Sequence, residues 1–273
     1  FYYRGNSKVK LKDYEGAIED YSRAIQFDSD NAKAFYNRGL IKSEVEDFKG
    51  AIQDYSKAIE IDPEDSDAFN DRGLVRNLLK DYEGAIEDYN VAIQLDTNNA
   101  DIFYNRGNTK YNLKDYEGAI GDYNKAIKLN PKNANIFFNR GNIKFITKDF
   151  FGAIYDYTNA IEINNKNSSF YKLRGLAKLQ LTDFFGAIYD YTNAIVINPQ
   201  DDEAFINLCL AKFKLNQYET ALFDCNKAIE LNPQGGSNGY YFKVRGDVNI
   251  KLGKDKEARL DYQEARSKGF QME

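Results

Sequence analysis

Asp115-Tyr-Glu-Gly-Ala-Ile120 is a short stretch that recurs along this chain with a constant spacing of 34 residues. The other copies in this register start, with small changes, at Asp13, Asp47, Asp81, Asp149, Asp183 and Gln217. An eighth copy starts at Lys254, three residues late, because the loop at 234–239 carries an insertion. A fixed period of this length indicates a solenoid of stacked supersecondary units. We therefore expect a single domain over residues 1–273, with eight repeats and a first repeat truncated at its N-terminus.

Each copy contains two apolar patterns with the period of an α-helix, which in the fourth copy fall at 103–113 and 116–127. The Asp115 position immediately precedes the second helix and is placed to cap its free amide groups. All four prolines share one position, just after a second helix, where they end it. They are Pro63, Pro131, Pro199 and Pro233. Two helices with a short connection predict an antiparallel hairpin, and the repeat predicts a stack of hairpins.

Small and aromatic residues occupy fixed positions in these helices. The small ones include Gly39, Gly73, Gly107, Ala51, Ala85 and Ala119, and the aromatic ones include Phe35, Phe69, Phe103, Tyr55, Tyr89 and Tyr123. Small residues allow helices to approach closely, and the large rings fill the spaces between them. A 34-residue helical hairpin with this pattern resembles the tetratricopeptide repeat (TPR). The resemblance implies an all-α fold, a right-handed superhelical solenoid of antiparallel helix hairpins whose first helices line a concave groove.

The pattern departs from the family at one position, where an arginine replaces the usual leucine before the small residue. The arginines are Arg38, Arg72, Arg106, Arg140, Arg174 and Arg245, and the second helices carry Asp54, Asp88, Asp122, Asp156, Asp190, Asp224 and Asp261. We predict a bridging ion pair in each copy, from Arg4 with Asp20 onward. The seventh copy is the exception, because Leu208 replaces the arginine and is expected to leave Asp224 without a partner.

Both cysteines lie in that seventh copy, where Cys209 replaces the small glycine and Cys225 replaces the tyrosine. The two positions face the core of one hairpin, so the side chains can lie near each other. We predict two buried reduced thiols that fill space, with a disulfide as the alternative.

Several positions on the first helices are not needed for the core and are expected to face the groove. They are Tyr36, Asn37, Tyr104, Asn105, Asn108, Tyr111, Phe138, Asn139, Asn142 and Phe145. Asn105/Asn108 and Asn139/Asn142 lie one turn apart on one face. An amide both donates and accepts, which suits the backbone of an extended peptide, and the aromatic neighbours supply rigid apolar contacts. The alternative is that asparagine is simply frequent in this chain.

The outward face of the second helices changes character along the chain. Its positions are polar in the early copies but become Phe151, Tyr155, Phe185, Tyr189 and Phe223 later. Such a contiguous apolar patch on a convex face predicts a protein interface, including self-association. A recent duplication explains it equally well, since residues 149–164 and 183–198 differ at a single position.

Composition narrows the functional classes. The chain has no histidine, two cysteines, a net charge of −5 and no long apolar run. We therefore predict no catalytic residues, no metal site, no cofactor, no nucleic-acid binding and no membrane insertion by this segment. Because the chain begins at Phe1, within a helical pattern, we expect sequence upstream, and neither targeting nor localisation can be read.

The leading functional hypothesis is a scaffold that binds a partner protein or an extended peptide in the groove. The alternative is a structural element that self-associates, as a homo-oligomer, through the solenoid ends or the aromatic patch. Some TPR domains hold a C-terminal carboxylate with basic groove residues, but here the third copy places Asp67 and Asp71 on that face. The resemblance therefore does not extend to that type of ligand.

Overall fold

The computed structural model describes residues 1–271, which form sixteen α-helices and contain no strand. The helices are α1 (Tyr2–Lys10), α2 (Tyr14–Phe27), α3 (Ala32–Glu44), α4 (Phe48–Ile61), α5 (Ser66–Leu78), α6 (Tyr82–Leu95), α7 (Ala100–Asn112), α8 (Tyr116–Leu129), α9 (Ala134–Ile146), α10 (Phe150–Ile163), α11 (Ser168–Gln180), α12 (Phe184–Ile197), α13 (Asp202–Lys214), α14 (Tyr218–Leu231), α15 (Tyr240–Lys251) and α16 (Asp255–Ser267). A short 3-10 turn, Ser237–Gly239, precedes α15. The predicted all-α fold is confirmed.

The helices form two compact units, α1–α8 within Phe1–Pro131 and α9–α16 from Lys132 onward. Within each unit, consecutive helices pair as hairpins, and each odd-numbered helix is the first helix of its hairpin. The second helix of one hairpin then packs against the first helix of the next, as α4 does against α5 and α12 against α13. The repeated sequence thus becomes a repeated packing arrangement.

The start of each second helix is fixed by the predicted aspartate cap. In α2, α4, α6, α8, α10 and α12 the aspartate before the helix accepts a hydrogen bond from the amide three residues later, as Asp47 does from Gly50 at 3.0 Å. A Cβ at Gly50 would overlap the Asp47 carboxylate. The cap therefore explains why glycine recurs at that position. Gln217 and Lys254, which replace the aspartate in the last two copies, make no such bond.

In seven of the eight hairpins formed by residues 1–271, a glycine of the first helix packs against a tyrosine ring of the second. Tyr55 and Tyr157 are at most 1% exposed, and a Cβ added at Gly39 would lie 2.9 Å from the Tyr55 ring. Gly141 faces Tyr157 in the same way. The prediction that small residues mark the closest helix approach is confirmed, and it explains why a larger residue would force the hairpin apart.

The predicted arginine–aspartate ion pair is present in seven copies. The arginine Nη2 lies 2.5–2.6 Å from the aspartate Oδ1 in every pair. The pairs are Arg4–Asp20, Arg38–Asp54, Arg72–Asp88, Arg106–Asp122, Arg140–Asp156, Arg174–Asp190 and Arg245–Asp261. In each the guanidinium Nε bonds the carboxylate as well, so the contact is bidentate.

The prediction for the seventh copy was wrong in one respect, because Asp224 does have a partner. Lys212 Nζ lies 2.6 Å from Asp224 Oδ2. The same position, one helical turn after the arginine, supplies a second cation in the first six copies as well, as Lys178 does to Asp190 at 2.8 Å. Burial outweighs the single lysine and raises the pKa of Asp224. The aspartate of the seventh copy is therefore paired with one cation, whereas the aspartates of the first six copies are paired with two.

The prediction of reduced cysteines was also wrong. Cys209 and Cys225 form a disulfide, with their Cα atoms 5.4 Å apart. They occupy the two positions at which the glycine and tyrosine of other hairpins touch. The closest approach of two helices brings two cysteine side chains within bonding reach, and the bridge links α13 to α14.

Across residues 1–271, no helix combines the length and the apolar character that crossing a membrane requires.

Candidate functional site

The residues predicted to face a groove lie on three first helices, α3 and α7 in the first unit and α9 in the second. All are partly buried except Tyr111, which is 36% exposed, so they sit at the margin of the hairpin core. They are Tyr36, Asn37, Tyr104, Asn105, Asn108, Tyr111, Phe138, Asn139, Asn142 and Phe145.

Polar side chains link neighbouring first helices across the first unit. Asn37 Nδ2 donates to the Tyr2 hydroxyl at 2.9 Å, which joins α3 to α1. The Tyr36 hydroxyl donates to Asp71 Oδ2 at 2.7 Å, and Asn105 Nδ2 donates to Asn70 Oδ1 at 3.0 Å. Asn37, Tyr36 and Asn105 thus belong to a ladder of hydrogen bonds that runs from α1 through α3 and α5 to α7.

Asp71 is the charged member of this ladder. Its carboxylate accepts from the Tyr36 hydroxyl and from Asn70 Nδ2, at 2.7 and 3.0 Å, and it makes no ion pair with any residue in 1–271. Burial raises the pKa of Asp71, while the two neutral donors lower it. The sequence identified this residue as acidic groove surface but did not identify its hydrogen-bond partners.

The second asparagine of each predicted pair accepts a hydrogen bond from a core tyrosine of its own hairpin. Asn108 Oδ1 accepts from the Tyr123 hydroxyl at 2.7 Å, and Asn142 Oδ1 accepts from Tyr157 at 2.9 Å. Leucine stands at this position in the second, third and sixth copies, and in the sixth the Tyr191 hydroxyl is buried without a hydrogen-bond partner within residues 1–271. The asparagines at 108 and 142 therefore satisfy a core tyrosine, a role that the sequence interpretation missed.

The aromatic members lie against the tyrosines of the hairpin core. The Tyr104 ring is 6.0 Å from that of Tyr123, and the Phe138 ring is 5.8 Å from that of Tyr157 and 4.8 Å from that of Phe170. Further along the helices, Tyr111 contacts Tyr116 and Phe145 contacts Phe150. These contacts hold the rings in place, so each presents a preorganised partial surface.

A different surface lies on the second helices of the second unit. We call it the aromatic strip, and its five members are Phe151 (76% exposed), Tyr155 (62%), Phe185 (71%), Tyr189 (62%) and Phe223 (69%). At the second and sixth residues of its second helices, which correspond to Phe151 and Tyr155, the first unit carries Glu15 and Glu19 on α2, Lys49 and Gln53 on α4, and Glu83 and Glu87 on α6. Large rings at such exposure are unusual for a surface that meets only water.

No group of three or more cysteine, aspartate or glutamate side chains within residues 1–271 is arranged as ligands of a metal ion.

Comparison with known families accounts for this architecture. The profile described as "TPR repeat" matches residues 5–45, 76–114 and 107–147, and the profile described as "Tetratricopeptide repeat" matches 32–65 and 202–234. The chain belongs to the tetratricopeptide repeat family. TPR folds typically serve as protein-interaction scaffolds without catalytic activity. No curated protein matches this chain significantly.

Solved TPR structures share the fold at low sequence identity. The C-terminal part of a TPR repeat-containing protein from Cytophaga hutchinsonii is 19% identical, with a TM-score of 0.72 over 85% of this chain and 96% of that one. Pseudomonas aeruginosa pilF is 21% identical, with a TM-score of 0.65 over 86% and 96%. YrrB, described as a TPR protein with an unusual peptide-binding site, is 22% identical, with a TM-score of 0.60 over 66% and 92%.

Proposed function

We propose that this TPR chain is a scaffold that holds an extended segment of a partner protein on the first-helix face of its hairpins. The observation that carries the proposal is the row of partly buried amide and aromatic side chains on that face of the first unit, which includes Tyr36, Asn37, Tyr104 and Asn105. A rigid ring beside an amide offers apolar contact and a hydrogen bond at the same point, and such pairs are typical of peptide anchors.

Asn105 is the most informative member of the row. It uses one of its two amide hydrogens to bond Asn70. An amide side chain has a second hydrogen and an oxygen with two lone pairs, so Asn105 keeps capacity for the backbone of a peptide. Its bond to Asn70 meanwhile fixes its orientation, which lowers the entropy lost on binding.

The fold comparison adds support of a general kind. YrrB has the same fold and is described as having a peptide-binding site. At 22% identity the position of that site does not transfer, so the residues proposed here come from this chain alone.

We expect replacement of Tyr104 and Asn105 by alanine to weaken peptide binding tenfold or more, since loss of a binding hot spot removes at least ~1.4 kcal/mol. Peptides would be selected by display on the wild-type protein and their dissociation constants measured by fluorescence polarisation. The matched control is Glu83→Ala/Glu87→Ala, which alters the other face of the same unit and should change the constant less than twofold. If display selects no peptide, or if the selected peptides bind both variants as well as wild type, the proposal is refuted.

The aromatic strip favours a second candidate function, assembly by self-association. Its members lie in phase on consecutive second helices, where Phe151 and Tyr155 are one turn apart on α10 and Phe185 and Tyr189 repeat them on α12. Covering such rings with a second copy of the strip would remove their apolar surface from water.

For this candidate we expect a concentration-dependent oligomer that Tyr155→Glu/Tyr189→Glu converts to monomer, because two buried carboxylates would lack partners in the interface. Multi-angle light scattering over a dilution series measures it. Glu83→Gln/Glu87→Gln, at the equivalent positions of α6, should leave the mass unchanged. A wild-type protein that is monomeric at every concentration would eliminate self-association through the strip.

A further inference from the structure

A cavity of about 810 Å³ opens between α13 and α15 in the second unit. It lies on the first-helix face, because Ile206 and Asn207 in its wall occupy the positions that Tyr36 and Asn37 hold in the second copy. The cavity is also lined by Asp202, Tyr240, Tyr241 and Phe270. Its size is that of a site for a small ligand or for one anchored side chain with its flanking backbone.

The three-residue insertion builds one wall of this cavity. Gly235, Gly236 and Gly239 have φ values of +73°, +70° and +76°, which other residues rarely adopt, and a Cβ at Gly236 would overlap the Tyr241 ring. The amide of Tyr241 closes the loop by donating to the Gly235 carbonyl at 2.9 Å. The insertion is thus a loop of defined shape that holds Ser237 and Asn238 at the cavity margin.

The charge of the cavity is negative and only partly compensated. Asp202 Oδ2 accepts from Asn232 Nδ2 and from the Tyr241 hydroxyl, both at 2.8 Å. Within residues 1–271, its Oδ1 accepts no hydrogen bond, and neither oxygen lies in an ion pair. Two nearby cations are already paired: Lys172 lies 3.0 Å from Asp201 and 2.8 Å from Glu203, and Lys243, which acts on Tyr240, lies 2.6 Å from Asp247. Asp202 is therefore a fixed carboxylate with one oxygen available to a ligand.

Aromatic rings complete the site. Tyr240, at the start of α15, and Phe270, after α16, both line the cavity with their ring centroids 6.3 Å apart. A guanidinium group is planar, weakly hydrated and stacks on aromatic faces, whereas an ammonium group is compact and strongly hydrated. Rings and a carboxylate in one cavity therefore select for a guanidinium.

We infer that this cavity binds the side chain of an arginine in the partner's extended segment, with Asp202 as its ion-pair partner and Tyr240 and Phe270 as its walls. The inference rests on the proposed peptide-binding function and names one feature of the ligand. It places an arginine anchor at the seventh and eighth hairpins, in a site formed entirely within the second unit.

The test uses a capped pentapeptide with one central arginine flanked by glycines, titrated into the full chain and followed by NMR of the peptide. We expect Asp202→Asn to weaken binding about tenfold, because a charge-assisted bond to the guanidinium is lost. Replacing the arginine by citrulline, which has the same shape without the charge, should weaken binding by about the same factor. Replacing it by lysine should weaken binding about threefold.

The matched control is Asp255→Asn. Asp255 is the first residue of α16, as Asp202 is of α13, but it is exposed and remote from the cavity lining. Both substitutions remove an acidic residue from a helix N-terminus, so Asp255→Asn should leave the affinity unchanged. Phe270→Ala, which removes a wall without touching α13, should also weaken binding. Equal affinity for the arginine and citrulline peptides, for the arginine and lysine peptides, or for wild type and Asp202→Asn would overturn the inference.

The probe also separates this inference from the groove proposal. Tyr104→Ala/Asn105→Ala lies in the other unit and should not alter binding of the arginine peptide. Display-selected peptides that bind without an arginine, together with no binding of the probe, would refute the cavity and leave the groove proposal intact. Binding of the probe with no peptides selected by display would refute the groove proposal and leave the cavity as an arginine-binding site.

Discussion

Replacing Arg174 and Lys178 together by leucine is expected to lower the free energy of unfolding by about 3–5 kcal/mol. Asp190 is fully buried and faces both cations, with Arg174 Nη2 at 2.6 Å and Lys178 Nζ at 2.8 Å. The double replacement leaves its charge in the protein interior without compensation. Urea unfolding followed by far-UV circular dichroism gives the change.

The control for this prediction removes the charge itself. Adding Asp190→Asn to the double variant should restore most of the lost stability, because a neutral amide is far less unfavourable in an apolar site than an unpaired carboxylate. If the double variant loses less than about 1 kcal/mol, the value of an exposed pair, the buried pairs do not hold the hairpins together.

The single variant Arg174→Leu has a natural counterpart in the seventh copy. There Leu208 stands at the arginine position and Lys212 alone faces Asp224. We expect Arg174→Leu to lower the free energy of unfolding by about 1.5–3 kcal/mol, the range for a hydrogen bond to a charged group, and we expect the variant to fold normally. A loss as large as that of the double variant would mean that the lysine contributes nothing.

The hairpins and their ion pairs were predictable because the interactions that make them are encoded at fixed spacings. Arg38 and Asp54 are sixteen residues apart, as are the corresponding residues in each paired copy, so one helical phase argument covers all of them. The aspartate cap and the glycine that it requires are likewise local, since Asp47 and Gly50 lie in one turn. Local patterns of this kind do not depend on how the hairpins stack.

The sequence also contains signals for the second cation beside each buried aspartate and for the asparagines that bond the core tyrosines. A basic residue stands four positions after the arginine position in each of the first seven copies, as Lys42 does after Arg38, and one helical turn places both on one face. The eighth copy has Asn249 there, which bonds Asp261 at 2.9 Å. Asn108 and Asn142 could have been assigned to the buried tyrosines, since each stands fifteen residues before the core tyrosine of its own hairpin.

The cavity at the seventh and eighth hairpins could not be predicted from the sequence. The insertion interrupts the repeat, so the periodic argument ends at that point. The shape of the loop depends on three glycines with positive φ, and Phe270 comes from beyond the last helix. Only the folded chain brings these residues into one cavity with Asp202. The repeat therefore predicts the stacked hairpins, whereas the insertion that interrupts it forms a cavity that the repeat pattern does not predict.

Reduction of the Cys209–Cys225 disulfide is expected to destabilise the protein by about 3 kcal/mol, the chain-entropy value for a loop of ~15 residues. The bridge spans sixteen residues, from the first helix of a hairpin to the second. The sequence held the signal, because both members of the touching glycine–tyrosine pair are replaced together in one copy. Two thiols would fill the space between the helices less well than a tyrosine ring does. A bond between them instead holds α13 and α14 close together.

The matched variant restores the glycine and tyrosine of the other copies, as Cys209→Gly/Cys225→Tyr. A reducing agent should lower the urea midpoint of the wild-type protein, purified without reductant, and leave that of the variant unchanged. Alkylation in denaturant without reductant, followed by intact-mass measurement, should add no label to wild type. Two labels would show that the thiols are free and would return the seventh hairpin to the reduced state expected from its sequence.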